Sequence, residues 1–300
     1  MSLRKNNRLY NLRFSPEFEF NTDMTKDEVD QLLINKQFAW EVKDDYSIPN
    51  GWEICPTDDN HLRGNEGQVE CNRVLLALNH EARATQSPKT GFHLHWNLLK
   101  DTGEGYFTPK HLTNIMIDWY NFKRVIELIM PESRRGDHQT NLSGISTYLL
   151  ESMIEYARDI GKDNANASND FIERFGTEAC KDIRINAGHK TLEFRKMIFT
   201  VDSIKCVQWI EFTRNFLKFN SDKRQKSFRT ILPNPEDRLS LTHPKGLSYS
   251  FREVFQYRAG NFGAFNQAEK RAKALARQHP EVKEELDGIV ARCEARNNQS

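Results

Sequence analysis

No stretch of this sequence approaches the ~20 consecutive apolar residues that a membrane-spanning helix needs, so no membrane association is expected. Cysteine is sparse, and the residues present (Cys55, Cys71, Cys180, Cys206, Cys293) are odd in number, scattered and without a C-x-x-C pair. That pattern excludes a disulfide frame or thiolate zinc site as the organising device and fits reduced thiols in a cytoplasmic protein. No Gly-rich loop of the G-x-x-x-x-G-K-[ST] type occurs, so a nucleotide would have to be gripped through metals and arginines. An excess of one charge is also missing: Lys+Arg is 43 and Asp+Glu 42, a net +1. There is therefore no global field to draw the chain to nucleic acid or a membrane surface. The N-terminal MSLRKNNRLYNLRF is basic but lacks the apolar core of a signal peptide, and neither internal repeats nor low-complexity tracts interrupt the rest.

What is present is a polar sequence of 300 residues, long enough for a large core. Residues 8–20 alternate as a strand, with Phe14, Pro16, Phe18 and Phe20 on one face and Glu17 and Glu19 on the other. Pro16 argues for an edge or a strand start. Thr25 and Glu28 have capping-box spacing and open a short helix over 24–36. FAWEV, a turn through Asp44–Ser47 and Pro49–Gly51, and WEI then read as strand, turn, strand. Helical periodicity covers 66–84, 110–130, 143–160 and 202–219. GKDNANASND reads as a polar loop or lid, and TEACKDIRINAGHKTLEFRKM as two strands around a turn at Gly188. Composition shifts near residue 220. The remainder, 221–300, is loop-rich and then helical with a break at Pro280, carries excess positive charge, and is expected to pack outside the catalytic sheet.

Chemistry concentrates on the strands. In Gly91-Phe92-His93-Leu94-His95-Trp96-Asn97, His93 and His95 share one face and Phe92, Leu94 and Trp96 the other. Two imidazoles on one face suit a metal, a phosphate-bearing ligand or a buried polar network. Glu17-Phe18-Glu19, Glu53 and Glu193-Phe194-Arg195 repeat the polar–apolar–polar pattern. Gathered on one face, these carboxylates and imidazoles would suit Mg2+ or Mn2+ held against phosphate oxygens. Arg195, two residues from Glu193, can neutralise a transferring phosphoryl group. Arg134 and Arg135, in a loop after a helix, are either solvated or a grip for phosphate or carboxylate.

The ordered segments FSPEFEF, DDYSIPNGWEICP, KTGFHLHW, MPESRRGD and HKTLEFRKMIFTVDSIKCVQWIEF resemble the amidoligase family, over about residues 12–217. These are carboxylate–amine ligases with a glutamine-synthetase-like catalytic fold, related to glutamate–cysteine ligases. The resemblance implies an α+β fold in which a curved antiparallel sheet carries helices on one face, forming a catalytic domain over 1–220 with 221–300 as an extension. It implies ATP and Mg2+ or Mn2+ as cofactors and a carboxylate and an amine as substrates, with nucleic acid involved only as a modified substrate. It matches Glu17, Glu19, Glu53 and Glu193 to metal-binding glutamates, and His93 or His95 to the histidine facing metal or nucleotide. Arg195, Arg134 and Arg135 match the arginines on phosphate or substrate, with Arg195, Arg134 and Glu193 nearest the chemistry. The chain departs from the family pattern at Asp45-Tyr46-Ser47, where Asp-Gly-Ser is common, at Ser15-Pro16 ahead of the first glutamates, and at Trp96 after His95.

Two other readings compete. A metal-dependent hydrolase or cupin-like oxygenase would use His93 and His95 with one carboxylate, the nearest downstream acids being Asp101 and Glu104. A non-catalytic nucleotide-binding protein would keep the fold without turnover, but the intact Glu-x-Glu and Glu-x-Arg pairs argue against it.

Overall fold

The computed structural model describes residues 12–48, 51–58, 62–128, 145–176 and 182–221. Arg134 and Arg135 lie outside them, as do Cys180, Cys293 and the 221–300 extension beyond Ser221. The strands are β1 (Arg13–Asn21), β2 (Trp40–Lys43), β3 (Gly51–Pro56), β4 (Leu62–Arg63), β5 (Gly91–Asn97), β6 (Ile183–Asn186) and β7 (Thr191–Ile198). The helices are α1 (Lys26–Asn35), α2 (Gly64–His80), α3 (Pro109–Leu128), α4 (Thr147–Asp159), α5 (Ser168–Phe175) and α6 (Ser203–Ser221). Together they make an α+β architecture around one open sheet. Its order is β2-β3-β1-β5-β7-β6, with β4 paired to β1, and every pairing is antiparallel.

Strand alternation divides the sheet into two unlike faces. Phe14, Phe18 and Phe20 of β1, Phe92, Leu94 and Trp96 of β5, and Leu192 and Phe194 of β7 are all buried. Removing this much apolar surface from water is the main force holding helices against the sheet. The ring of Trp119, on α3, meets Phe194 edge-on at 5.1 Å and Phe216 of α6 at 5.5 Å. Trp96 Nε1 donates to Thr213 Oγ1 of α6 at 3.0 Å, so its one polar atom is satisfied inside the core. Thr25 and Glu28 form the expected capping box at the start of α1.

Two local expectations are corrected. Pro16 does not mark an edge, since β1 runs inside the sheet between β5 and β3. Away from β5, however, β1 pairs with β4 at Arg13–Phe14 and with β3 only from Phe18 onward. The N–H that Pro16 lacks therefore falls where no ladder partner asks for it. The polar run GKDNANASND is not a free lid. It turns through a 3₁₀ segment, Ala165–Ala167, into α5, and it is tied to the start of α3. Gly105 N donates to Ala165 O at 3.0 Å, Lys110 N to Lys162 O at 3.0 Å, and the buried Ser168 hydroxyl to Phe107 O at 2.7 Å.

Trp119 fills the junction of sheet, α3 and α6. Trp119→Ala is expected to cost about 3–5 kcal/mol of stability, read as a lower urea midpoint for the full chain with its slope unchanged.

Candidate metal centre on the polar face of the sheet

The other face collects the charged side chains because register, not proximity in sequence, sets them side by side. Glu17 of β1 stands opposite His93 of β5, and Glu19 opposite Glu53 of β3. His95 stands opposite Glu193 of β7, and Glu193 opposite Arg184 of β6. Directly opposed residues on one face bring their Cβ atoms to about 4.5–5.5 Å. The β5–β7 ladder also holds a bulge: Phe92 faces Met197 and Leu94 faces Phe194, so Arg195 and Lys196 together oppose His93. The second of these, Lys196, donates to Asp182 Oδ1 at 3.1 Å in a buried pair.

All six strand residues expected to bind metal lie on this face, in two adjoining groups. Glu17, His93 and Glu193 place three ligand atoms within 4.8 Å of one another, and so do Glu19, Asp45 and Glu53. His93 lies between the groups. Its Nδ1 is 3.3 Å from Glu17 Oε2 and 3.8 Å from Glu193 Oε1, while its Nε2 is 3.4 Å from Glu19 Oε1. His95 joins the first group, with Nε2 3.1 Å from Glu17 Oε1 and 3.9 Å from Glu193 Oε1. Its Nδ1 meets Thr191 Oγ1 at 2.9 Å. Glu193 has no exposed surface. Arg195 Nη1 donates to its Oε1 at 2.6 Å and Arg184 Nε to its Oε2 at 2.5 Å.

Titration follows from this packing. Burial alone would raise Glu17, but hydrogen bonds and charge from His93 and His95 hold it well below the usual carboxylate range. Burial likewise opposes ionisation of Glu193, and His95, Arg195, His93 and Arg184 outweigh it, so its pKa is lowered. Burial works against a charged His95, yet Glu17 and Glu193 raise its pKa above the ordinary value. At Glu53, burial, then the charges of Glu17 and Glu19, outweigh Lys43 and push it up to about 7. Carboxylates crowded until one holds a proton near neutrality are a donor set suited to a divalent cation.

A cleft of about 180 Å³ adjoins the His95 end, with Glu17, His95, Arg13, Lys43, Cys55 and His189 among its lining residues. Burial pushes the Cys55 thiol up to about 12, so it is no nucleophile at neutral pH. Asp101 and Glu104, the acids a cupin-like centre would recruit, are instead engaged with Arg13 and Lys100.

Four further residues belong to this face. Asp45 comes from the β2–β3 connection, where its Oδ1 also accepts from Ser47 N at 2.8 Å. Thr191 and Arg184 hold His95 and Glu193. Gly91 supplies space: a Cβ there would lie 2.6 Å from Glu19 Oε2 and 2.8 Å from His93 Nε2. Counting back by two from Glu193 and His93 would have found Thr191 and Gly91. Asp45 was visible in the Asp45-Tyr46-Ser47 departure, whose tyrosine is almost fully exposed.

No family model matches the chain, and no curated protein matches it. Solved structures that match include the crystal structure of the complex between prokaryotic ubiquitin-like protein Pup and its ligase PafA. Identity there is 12% and the TM-score 0.28, over 96% of this chain and 65% of that one. A likeness this slight carries neither fold nor activity. No described helix is long and apolar enough to cross a membrane.

Gly91→Ala is expected to push Glu19 and His93 apart and weaken Mn2+ binding by about tenfold or more. Isothermal titration would read this, with circular dichroism confirming an unchanged fold. Glu53 titrates higher in the folded chain than its ordinary 4.5, so between about pH 4.5 and 7 the folded state binds more protons and stability falls as pH rises. His95, also raised, contributes stability that is full below its ordinary 6.5 and is lost as pH climbs through the folded value. Glu17 and Glu193 act in the opposite direction, contributing stability above 4.5 that is lost on acidification. Melting of the metal-free protein should therefore weaken from pH 5 to 8. Glu53→Gln should recover about 1–2 kcal/mol at pH 8, after solvent screening of this half-buried group, and almost nothing at pH 5.

Proposed function

We propose that this chain is an ATP-dependent carboxylate–amine ligase of glutamine-synthetase-like fold, forming an amide through an acyl phosphate. The observation that carries the reading is the convergence of Glu17, Glu19, Glu53, Glu193, His93 and His95 on one sheet face, with Arg195 bound to Glu193. The resemblance of the five ordered sequence segments points the same way. A divalent cation held by these side chains would neutralise phosphate charge and align the γ-phosphoryl group with the carboxylate.

The chain's own residues supply the rest. A carboxylate is a weak electrophile with a poor leaving group, so transfer of the γ-phosphoryl to it makes an acyl phosphate that a bound amine then attacks, releasing phosphate. Glu193 is held rigidly by Arg184 and Arg195, so it needs no rearrangement as charge moves. The Arg195 side chain is 27% exposed, so it is held to Glu193 without being buried. We assign it to the charge that develops on the transferring group. Arg134 and Arg135 are assigned to phosphate or substrate on the strength of the resemblance. Burial of His93, His95 and Glu193 limits water at the site floor, which protects an acyl phosphate.

The test is phosphate release from ATP by the full chain with Mg2+ and mixtures of carboxylic acids and amines, followed by mass spectrometry of the amide. Release that requires both substrates supports the ligase. Turnover of an ester or amide without ATP would replace it with the metal-dependent hydrolase. Arg195→Ala should lower turnover by roughly two to three orders of magnitude with little change in ATP affinity, and Arg195→Lys should stay impaired because the planar fork is lost. If Arg195→Ala only lowers the melting temperature and leaves the specific activity of the folded fraction near normal, the arginine is structural.

A further inference from the structure

The cleft beside His95 reaches past the side chains assigned to the cation. Besides His95, its basic lining comes from three separate parts of the chain: Arg13 at the start of β1, Lys43 at the end of β2, and His189 in the turn between β6 and β7. Of the acids in that lining, Glu17 already faces His93 and His95, and Asp58 is exposed. Arg13 is the informative residue. Its Nη1 and Nη2 grip the two oxygens of Asp101 at 2.8 Å each, so Asp101 occupies the end of the guanidinium fork. A guanidinium has five N–H donors, and this grip leaves the edge that carries Nε–H. Among the described residues that Nε is buried and makes no hydrogen bond. A buried donor left unmatched is unfavourable, yet here it is held fixed beside a polar cleft. The Asp101 side chain is 77% exposed, so water screens the ion pair and Arg13 keeps much of its charge for another anion.

The position of that edge says what it would recognise. Strand parity puts Arg13, Ser15 and Glu17 on one face of β1, and all three line the cleft. From Arg13 to Glu17 the strand advances about 13 Å, at roughly 3.3 Å per residue. A molecule that touches both ends is therefore small but several bonds long. The parallel donors on the free edge of a guanidinium match the paired oxygens of a carboxylate or phosphate, as the far end matches Asp101. We propose that the cleft is an oxyanion subsite, in which Arg13 binds a second acidic group of the carboxylate substrate, remote from the carboxylate that reacts beside Glu17 and His95. Lys43 and His189 support the same charge from either side of the sheet. The reacting end rests on the ligase reading, whereas the remote contact stands on Arg13 and the cleft.

The experiment titrates the full chain, in Mg2+, by calorimetry with adipate, with hexanoate as its monoacid counterpart, and with an ω-phosphono acid of the same length. Adipate or the phosphono acid should bind about 10- to 100-fold more tightly than hexanoate, and the tighter of the two identifies the group that the subsite takes. Arg13→Gln should bring both down to the affinity of hexanoate, with circular dichroism confirming the fold. Asp101→Asn separates recognition from support, because it removes the ion pair and keeps Arg13. There the preference for the second acidic group should survive within about threefold. Equal affinity for all three acids, binding of none, a preference that survives Arg13→Gln, or one that Asp101→Asn abolishes as completely would each overturn the proposal. A preference for the second acidic group without ATP-dependent phosphate release would remove the ligase reading alone. ATP-dependent ligation equally fast with hexanoate and adipate would remove this inference alone.

Discussion

Glu193 is a fully buried carboxylate held between the guanidinium groups of Arg184 and Arg195. Stripping its charge of water is tolerable only because both oxygens are hydrogen-bonded by cations; with either arginine gone, a buried charge would be left half compensated. The clamp also fixes where Oε1 points, toward His93 and His95 at once. Those imidazoles in turn hold Glu17, which crowds Glu19 and Glu53. The electrostatics around His93, His95 and Glu17 therefore descend from one clamped carboxylate, while Glu53, farther along the face, is raised by burial first and by the charges of Glu17 and Glu19 after it.

Much of this face was legible because a strand needs only its own parity. Alternation in FSPEFEF and GFHLHWN separated Glu17, Glu19, His93 and His95 from the aromatic residues that now pack under α3 and α6. Parity cannot say which strands are neighbours. That β1 lies between β3 and β5, and that β7 lies beyond β5, depends on long-range pairing that no local pattern encodes. Asp45 stands in the Asp45-Tyr46-Ser47 segment, but as a loop residue it has no period to show that it joins Glu19 and Glu53. Thr191, Arg184 and Gly91 escaped because they matter through what they touch.

GKDNANASND shows the converse error. Asn, Ser and Gly are abundant both in mobile loops and in the capping turns where helices begin, for the same reason: short side chains that bond to nearby backbone. Here Asn164 Oδ1 accepts from Asn166 N, and Ser168 opens α5 while its hydroxyl bonds across to Phe107. Composition signalled a break in periodicity correctly and was silent on whether the break was tied down.

The bulge in β7 has a consequence for reading related chains. Across from Phe92–Leu94, β7 spends one residue more than β5 does, and the extra side chain, Lys196, is committed to Asp182. A strand lacking that position could still set Arg195 against His93, Met197 against Phe92 and Ile198 against Gly91, with every remaining side chain on its present face. Written out as text, two such chains would fall out of step by one letter after Arg195 while matching atom for atom in space. A single gap at this point would therefore mark a difference in how β6 is fastened, and would leave the charged face intact.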